Sequence, residues 1–426
     1  MNVVLVNKTD IKGGAAIAAF RLFQSLSKSE EININFLVQE KYSNNERVTT
    51  VSKNKIIKLS FFLRFITEKL YFLPFEKSKE IRFQFSVGNT GKDLSKHPLL
   101  KKADIIHINW FNQGFLSLSN IYKILKLKKP VIWTLQDMWA FTGGCHYTGN
   151  CTNYQEQCGN CLYLNNPGNN DLSHKIYKKK ASIYHNAPLY IIGTSQWIAS
   201  KAKESSLLNK FPIYSIPIPI DNEKFKPKDK ISVRQKLGLP VEKKIILFGA
   251  ANALDKRKGV EYLKKALKIV SKNTPELANN IHCVIFGKAK TPIQLDFEST
   301  QLSFLNSTET ITDLYSSADL FIMPSLQDNL PNTIMESLAC GTPVVAFKTG
   351  GIPEMIEHLK TGYLANLKDE EDLANGIIFV LENAGKLNMQ ENSRNNAIRL
   401  YSPETIASSY INLYQKILID YKKKFM

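Results

Sequence analysis

Short, unbroken apolar runs alternate along this chain with stretches in which apolar residues return every three or four positions. The run NVVLVN, residues 2–7, has the length of a buried parallel strand. GGAAIAAFRLFQSLSK follows, and its Ala15, Ala18, Ala19, Leu22, Phe23 and Leu26 share one helical face. The same rhythm recurs in INFLVQ, in ADIIHIN before NIYKILKLKK, in PVIWTLQD, and in LYIIGTS before QWIASKAKESSLL. Such alternation predicts an α/β doubly wound domain, a parallel sheet with helices on both faces. It stops at FPIYSIPIPIDNEKFKPKDK, whose four prolines and charged tail predict a linker. A second series then runs through KKIILFGA, GVEYLKKALKIVSKN, IHCVIFGK, ITDLYSSA, DLFIMPS, NTIMESLAC and TPVVAFK. The pattern therefore gives one domain over residues 1–216 and another over 217–400, expected to face each other across a cleft. Residues 84–98 read as a loop.

Length and composition agree with two ordinary globular domains: 426 residues, 43% hydrophobic and 22% charged. No apolar run approaches the roughly 18 to 20 residues of a membrane span, and the first residues lack the signature of a secretory signal, so the chain reads as cytoplasmic. Charge changes the picture more. The formal net charge is +18, and residues 1–216 hold 29 Lys and Arg against 14 Asp and Glu. Such asymmetry fits either an anionic partner for the first domain or a plain lysine-rich solvated surface. Within that domain, residues 53–79 interleave Phe, Leu, Ile and Tyr with lysines. They read either as an interfacial helix on anionic lipid or as a core helix whose lysines reach solvent.

Ligands of open parallel sheets bind at the carboxyl ends of strands, where loops enter helices. The first such loop brings Gly13 and Gly14 to a helix start, a place suited to phosphate, or simply to a tight turn. The G-x-G-x-x-G fingerprint is absent, which disfavours a nicotinamide dehydrogenase. In the second domain, PSLQDNLPNTIMESLACGTPVV sets Asp328 on a loop and Glu336 eight residues later on a helix that opens near Thr333. Two carboxylates there can accept hydrogen bonds from sugar hydroxyls while helix N–H groups meet a diphosphate; equally, they can cap a turn and a helix start.

That segment resembles the donor-binding region of the family 4 retaining glycosyltransferases, enzymes of the GT-B fold with two Rossmann-like domains. GGAAIAAFRL, IPIPIDNEKFKP, KRKGVEYLKKAL, DLYSSADLFIMPS and GGIPEMIEHLKTGYL are similar to further segments of the family, and WTLQDMWAFTGGCHYTGNC resembles a bacterial subgroup of capsule, exopolysaccharide and O-antigen synthesis. The resemblance implies transfer of a hexosyl unit from a UDP- or GDP-linked sugar to a saccharide or lipid-linked acceptor. It implies that Glu336 holds the ribose, Asp328 the sugar, and Lys258 the diphosphate. Gly13, Gly14, Arg257, Asn329, Leu330 and Thr333 complete the donor set. It implies no metal in catalysis, no nucleic-acid partner, peripheral contact with an anionic membrane, and a helix over 401–426 that returns to the first domain. Three departures stand out: Asp replaces the usual Glu at 328, Gln136 replaces a usual histidine, and alanines 250 and 251 stand where an arginine is expected, leaving Arg257 or Lys256 to supply that charge. They leave a catalytically impaired, donor-binding partner as the alternative.

The tract GGCHYTGNCTNYQEQCGNC carries Cys145, Cys151, Cys158 and Cys161. A structural zinc and free thiols are both compatible with the spacing, and the absence of Lys and Arg from residues 143–161 argues against nucleic acid. The tract is expected to brace a loop beside Gln136 and Asp137, where Trp139, Phe141 and Tyr147 either stack on sugars or pack inside.

Overall fold

The computed structural model describes residues 1–252, 255–288, 292–302 and 307–425, with the side chains of residues 250–252, 288, 424 and 425 outside that description. The chain divides into two units: Met1–Ile218 with Glu404–Met426, and Pro219–Pro403.

The first unit is built on a seven-stranded parallel sheet: β1 Asn2–Thr9, β2 Asn33–Glu40, β3 Val48–Thr50, β4 Ile105–Ile108, β5 Val131–Leu135, β6 Leu189–Gly193 and β7 Ile213–Ser215, in the order β3-β2-β1-β4-β5-β6-β7. Both faces are buried, which is why β1 shows no alternation. Its Val3 and Leu5 pack on one side with Phe23, Phe36 and the helix Pro403–Phe425. Val4 and Val6 pack on the other with Phe61, Phe72 and Ile121. The final helix is fastened by its own polar contact, because buried His107 lies 2.7 Å from the Tyr414 hydroxyl and 2.6 Å from Thr134 Oγ1. Burial lowers the His107 pKa to about 3, so the ring is neutral and satisfied at both nitrogens.

Helix α1, Gly14–Leu26, follows β1, and helix α2, Lys55–Phe72, follows β3. Asn54 caps α2 by accepting from Ile57 N at 2.9 Å. Its inner face holds Phe61, Phe72 and a buried carboxylate, Glu68, which accepts from Gly114 N at 3.0 Å and Gly88 N at 3.4 Å. Its outer face is apolar as well: Ile56, Leu59, Phe62, Leu63 and Leu70 are all more than half exposed, with Lys53, Lys55 and Lys58 exposed among them. Residues 53–79 are thus not a core helix with solvated lysines only.

The second unit has a six-stranded parallel sheet: β8 Lys244–Asn252, β9 Ile281–Lys288, β10 Ser299–Leu302, β11 Leu320–Met323, β12 Val344–Phe347 and β13 Gly362–Ala365, in the order β10-β9-β8-β11-β12-β13. Helices Val260–Asn273 and Glu370–Asn383 cover one face through Leu263, Leu267, Leu373 and Ile377. In both sheets the strand order reverses once, between β1 and β4 and between β8 and β11. Each unit therefore has its own crevice at the carboxyl ends of those strands. The linker expected from FPIYSIPIPI is partly structured, since Ile213–Ser215 pairs with β6 before the chain leaves the unit after Ile218.

Candidate functional site

The crevice of the second unit is assembled from the chain after β8 and the chain after β11. Two glycines let these segments touch. Gly259, at φ 72°, starts the helix Val260–Asn273 so close to β11 that a Cβ there would stand 1.9 Å from Pro324 O. Gly350, at φ 60°, passes under the loop where a Cβ would stand 1.8 Å from Asp328 O. Both positions demand glycine on conformation and on space. The backbone joins the two segments through Leu326 N, which donates to Arg257 O at 2.8 Å.

This packing delivers charge to one point. Asp328 is 8% exposed, and its Oδ2 accepts from Lys258 Nζ at 2.6 Å and Arg257 Nη1 at 3.3 Å. Its Oδ1 accepts from Asn329 N at 3.1 Å. Burial by itself raises the carboxyl pKa, but Lys258, then Arg257, outweigh it, and the acid is held below its usual range as a carboxylate. Arg257 is further fixed by donating to Gln327 O at 2.8 Å. Glu336 sits on the next helix, Asn332–Ala339, where it is 8% exposed and accepts from the Tyr315 hydroxyl at 3.2 Å. Thr333 donates to Met323 Sδ at 3.4 Å, and Asn329 and Leu330 are buried in the same loop. The structure therefore joins Asp328, Lys258 and Arg257 by direct bonds. Two cations on one buried carboxylate suit an anionic ligand that can take over part of their charge.

Gly13, Gly14 and Gln136 belong to the first unit. Gly13 has φ 101° at the start of α1, which carries no acidic residue in its first turn, and Gln136 is half-buried at the end of β5. Beside it lies a constellation absent from the motif reading. Asp137 Oδ2 is 2.7 Å from His146 Nδ1 and accepts from Trp110 Nε1 at 3.0 Å, while His146 Nε2 is 2.9 Å from Ser86 Oγ. His146 was visible in the cysteine tract, but nothing local signalled that a residue sixty positions earlier would meet it.

The cysteine tract is packed into the first unit. Cys145 and Cys158 are buried, Cys151 and Cys161 half-buried, and Cys158 Sγ accepts from Gly143 N at 3.1 Å. Burial pushes the Cys158 pKa up to about 12 and the Cys161 pKa up to about 11, which keeps both as thiols. Among the described residues no group of three or more His, Cys, Asp or Glu is placed to hold a metal, and Cys145, Cys151, Cys158 and Cys161 stand as free cysteines. Of the two readings of Trp139 and Phe141, inside packing is the one observed: both are fully buried, and Trp139 Nε1 donates to Ser86 O at 2.8 Å.

The loop is pinned by Lys180, whose Nζ donates to Thr142 O at 2.9 Å and to Trp139 O, and lies 3.5 Å from the centre of a Trp139 ring. Burial lowers its pKa to about 7, against the opposing pull of Cys158, Cys145 and Asp137. An unfolded lysine keeps its proton to about pH 10.4, so from pH 7 upward unfolding takes up a proton and stability rises with pH. Near pH 9 the buried thiols, with raised pKa values, begin to oppose this. The expected result is a melting temperature that climbs between pH 7 and 8.5 and climbs less in Lys180→Met, read by calorimetry.

Residues 229–400, which contain this whole crevice, match the model of the family Glycosyl transferases group 1. Relatives of the group 1 segment include N-acetyl-alpha-D-glucosaminyl L-malate synthase of Bacillus anthracis, 26% identical over 208 residues, which are 48% of this chain and 53% of that protein. An uncharacterized glycosyltransferase of Methanocaldococcus jannaschii is 30% identical over 199 residues, 44% of this chain and 49% of its own length. The chain thus spans about half the length of these relatives. The fold is matched throughout: sucrose-phosphate synthase from Thermosynechococcus elongatus superposes with a TM-score of 0.67 at 18% identity, covering 98% of this chain and 99% of that one. Anabaena HepE, in complex with UDP-glucose, gives 0.61 at 16% identity over 98% and 100%. The two Rossmann-like sheets next to the group 1 signature make the fold GT-B.

Proposed function

We propose that the chain is a retaining glycosyltransferase that moves a hexosyl unit from a nucleotide-sugar donor to a saccharide or lipid-linked acceptor in bacterial surface-polysaccharide synthesis. The observation that carries the reading is the bonded set Arg257, Lys258 and Asp328 at the β8–β11 crevice, with Glu336 on the following helix, inside the group 1 segment. Glu336 accepts from the ribose hydroxyls. Lys258 and Arg257 swing part of their charge from Asp328 to the donor diphosphate, and their stabilisation grows as the C1–O bond breaks and the leaving phosphate gains charge. Asp328, freed of part of its pairing, accepts from a sugar hydroxyl. The leaving phosphate takes the acceptor proton on the face it departs from, which fits a Gln at 136 that cannot titrate. A relative from Campylobacter jejuni, N,N'-diacetylbacillosaminyl-diphospho-undecaprenol alpha-1,3-N-acetylgalactosaminyltransferase, 27% identical over 208 residues, supports a sugar transferase without choosing the acceptor.

No described helix is long and apolar enough to cross a membrane, and the exposed apolar face of α2 with its lysines supports peripheral contact with anionic lipid at the inner face. The test is a thermal-shift screen of UDP, GDP and their sugars, followed by release of free nucleotide from whichever donor binds. A bound donor with turnover supports the reading. Binding without turnover for any acceptor would leave a donor-binding partner instead, and no nucleotide binding at all would remove both.

A further inference from the structure

Four side chains far apart in sequence form one hydrogen-bonded chain inside the first unit: Ser86, His146, Asp137 and Trp110. His146 Nε2 is 2.9 Å from Ser86 Oγ, its Nδ1 is 2.7 Å from Asp137 Oδ2, and the same carboxylate oxygen accepts from Trp110 Nε1 at 3.0 Å. Asp137 Oδ1 accepts from Trp139 N at 2.9 Å, so both of its oxygens are engaged. Ser86 and His146 are buried. Burial by itself raises the Asp137 pKa, but His146, then Trp139 N and Trp110, outweigh it and hold the acid below its usual range as a carboxylate. The chain ends at open space. Trp110 is half-buried and lines a cavity of about 510 Å³ together with Lys8, Phe65 and Gln113. Its backbone is fastened as well, since Trp110 N donates to Asn7 Oδ1 at 2.8 Å and Trp110 O accepts from Lys8 N at 2.8 Å.

A neighbouring indole gives the contrast. Trp139 is fully buried and its Nε1 has a neutral partner, Ser86 O, at 2.8 Å. Trp110 borders a cavity, where water would satisfy an indole N–H with no buried charge at all. Tying that N–H to a buried carboxylate costs desolvation and adds nothing to its solvation, but it fixes the edge of the ring and so the direction of its face. A fixed indole on a cavity wall offers a rigid platform for the apolar face of a sugar ring, with the ordering cost already met before binding. We infer that Asp137 and His146 are positioning residues of the transfer reaction: they hold the Trp110 indole in the orientation that stacks on the acceptor sugar, and Ser86 fixes the His146 ring behind them. Neither Asp137 nor His146 lines the cavity, so both act through the indole. The inference rests on the glycosyltransferase reading and names the residues that orient its saccharide acceptor.

The test is fluorine NMR of the full chain carrying 5-fluorotryptophan at its four tryptophans, with the Trp110 signal identified by its loss in Trp110→Phe. Methyl glycosides of glucose, galactose, mannose and N-acetylglucosamine are titrated with and without UDP. At least one is expected to move the Trp110 signal and leave that of buried Trp133 in place. His146→Phe and Asp137→Asn are expected to displace the Trp110 signal of the free protein and to weaken that glycoside about three- to tenfold, the range of one aromatic contact. His146→Gln is expected to keep both signal and affinity, because its amide can donate to Asp137 and accept from Ser86. An unchanged Trp133 signal shows that the sheet of each variant is intact; where it is lost, Ser86→Ala, which removes only the outer bond, replaces that variant and is expected to displace the Trp110 signal less. A Trp110 signal that no glycoside moves, or one that the variants leave where it was, overturns the inference. So does a His146→Gln protein that behaves like His146→Phe, since His146 would then serve through its proton and not its place. Thermal stabilisation of the parent by UDP or GDP tests the transferase reading separately: its absence beside an intact Trp110 response removes that reading, and its presence without the response removes the positioning role alone.

Discussion

Lys258→Ala is expected to lower kcat by about 10² to 10³, more than it raises KM, in steady-state release of nucleotide from the preferred donor. In the resting protein the ammonium is 2.6 Å from Asp328 Oδ2, so its charge is already matched and a bound donor must share it. The share that passes to the diphosphate grows as the C1–O bond breaks, and an interaction that strengthens along the reaction appears in kcat. Arg257 cannot replace it, because its Nη1 is held by Gln327 O and lies 3.3 Å from the same carboxylate. Removing Lys258 also leaves Asp328 with less compensation at 8% exposure, so the variant is expected to melt lower. Lys258→Arg restores the pairing charge and separates that effect from catalysis. An unchanged kcat with a raised KM would confine Lys258 to ground-state recognition.

Glu336→Gln is expected to weaken nucleotide binding by roughly ten- to a hundredfold, about 1.5 to 3 kcal/mol for a lost charge-assisted bond. Glutamine is the informative substitution. Tyr315 is fully buried and donates its hydroxyl to Glu336, and alanine would strand that hydroxyl as well as remove the carboxylate. With glutamine the Tyr315 bond survives on the amide oxygen, and any loss of affinity reports the ribose contact alone. Calorimetry with UDP or GDP measures it; an affinity equal to that of the parent would move the ribose elsewhere.

The elements legible in the sequence are those whose apolar pattern is long enough to have a period. β1 and β5 read as unbroken apolar runs because both faces are buried, and the helix Val260–Asn273 reads through Leu263, Leu267 and Val270. The edge strands Val48–Thr50, Ile213–Ser215, Ser299–Leu302 and Gly362–Ala365 escaped notice, since three or four residues with one covered flank carry no rhythm. At the site, Asp328 and Glu336 were visible as carboxylates eight residues apart, and Lys258 only through the resemblance to the glycosyltransferase family. That Lys258 and Arg257 both bond Asp328 was not, because the contact spans seventy residues and depends on Gly259 and Gly350 allowing two loops to close. The cysteine spacing left a structural zinc and free thiols both open, and it gave no sign that Cys145 and Cys158 would be buried while Cys151 and Cys161 stay half-buried.

The helix Pro403–Phe425 completes the sheet of the first unit, although residues 219–403 separate it from the rest of that unit. The second unit is thus an uninterrupted stretch of chain, whereas the first is split around it. During synthesis the face formed by Val3, Leu5, Ile34 and Phe36 emerges before the second unit and waits for Tyr410, Tyr414 and Ile417, which emerge only after it. The order of birth is therefore the reverse of the order of completion: the domain begun second can finish first, and the one begun first stays incomplete until the helix beyond it has been made. A nonsense change near position 400 would spare the later-born domain and leave the earlier one with an uncovered apolar sheet, a substrate for chaperones and proteases.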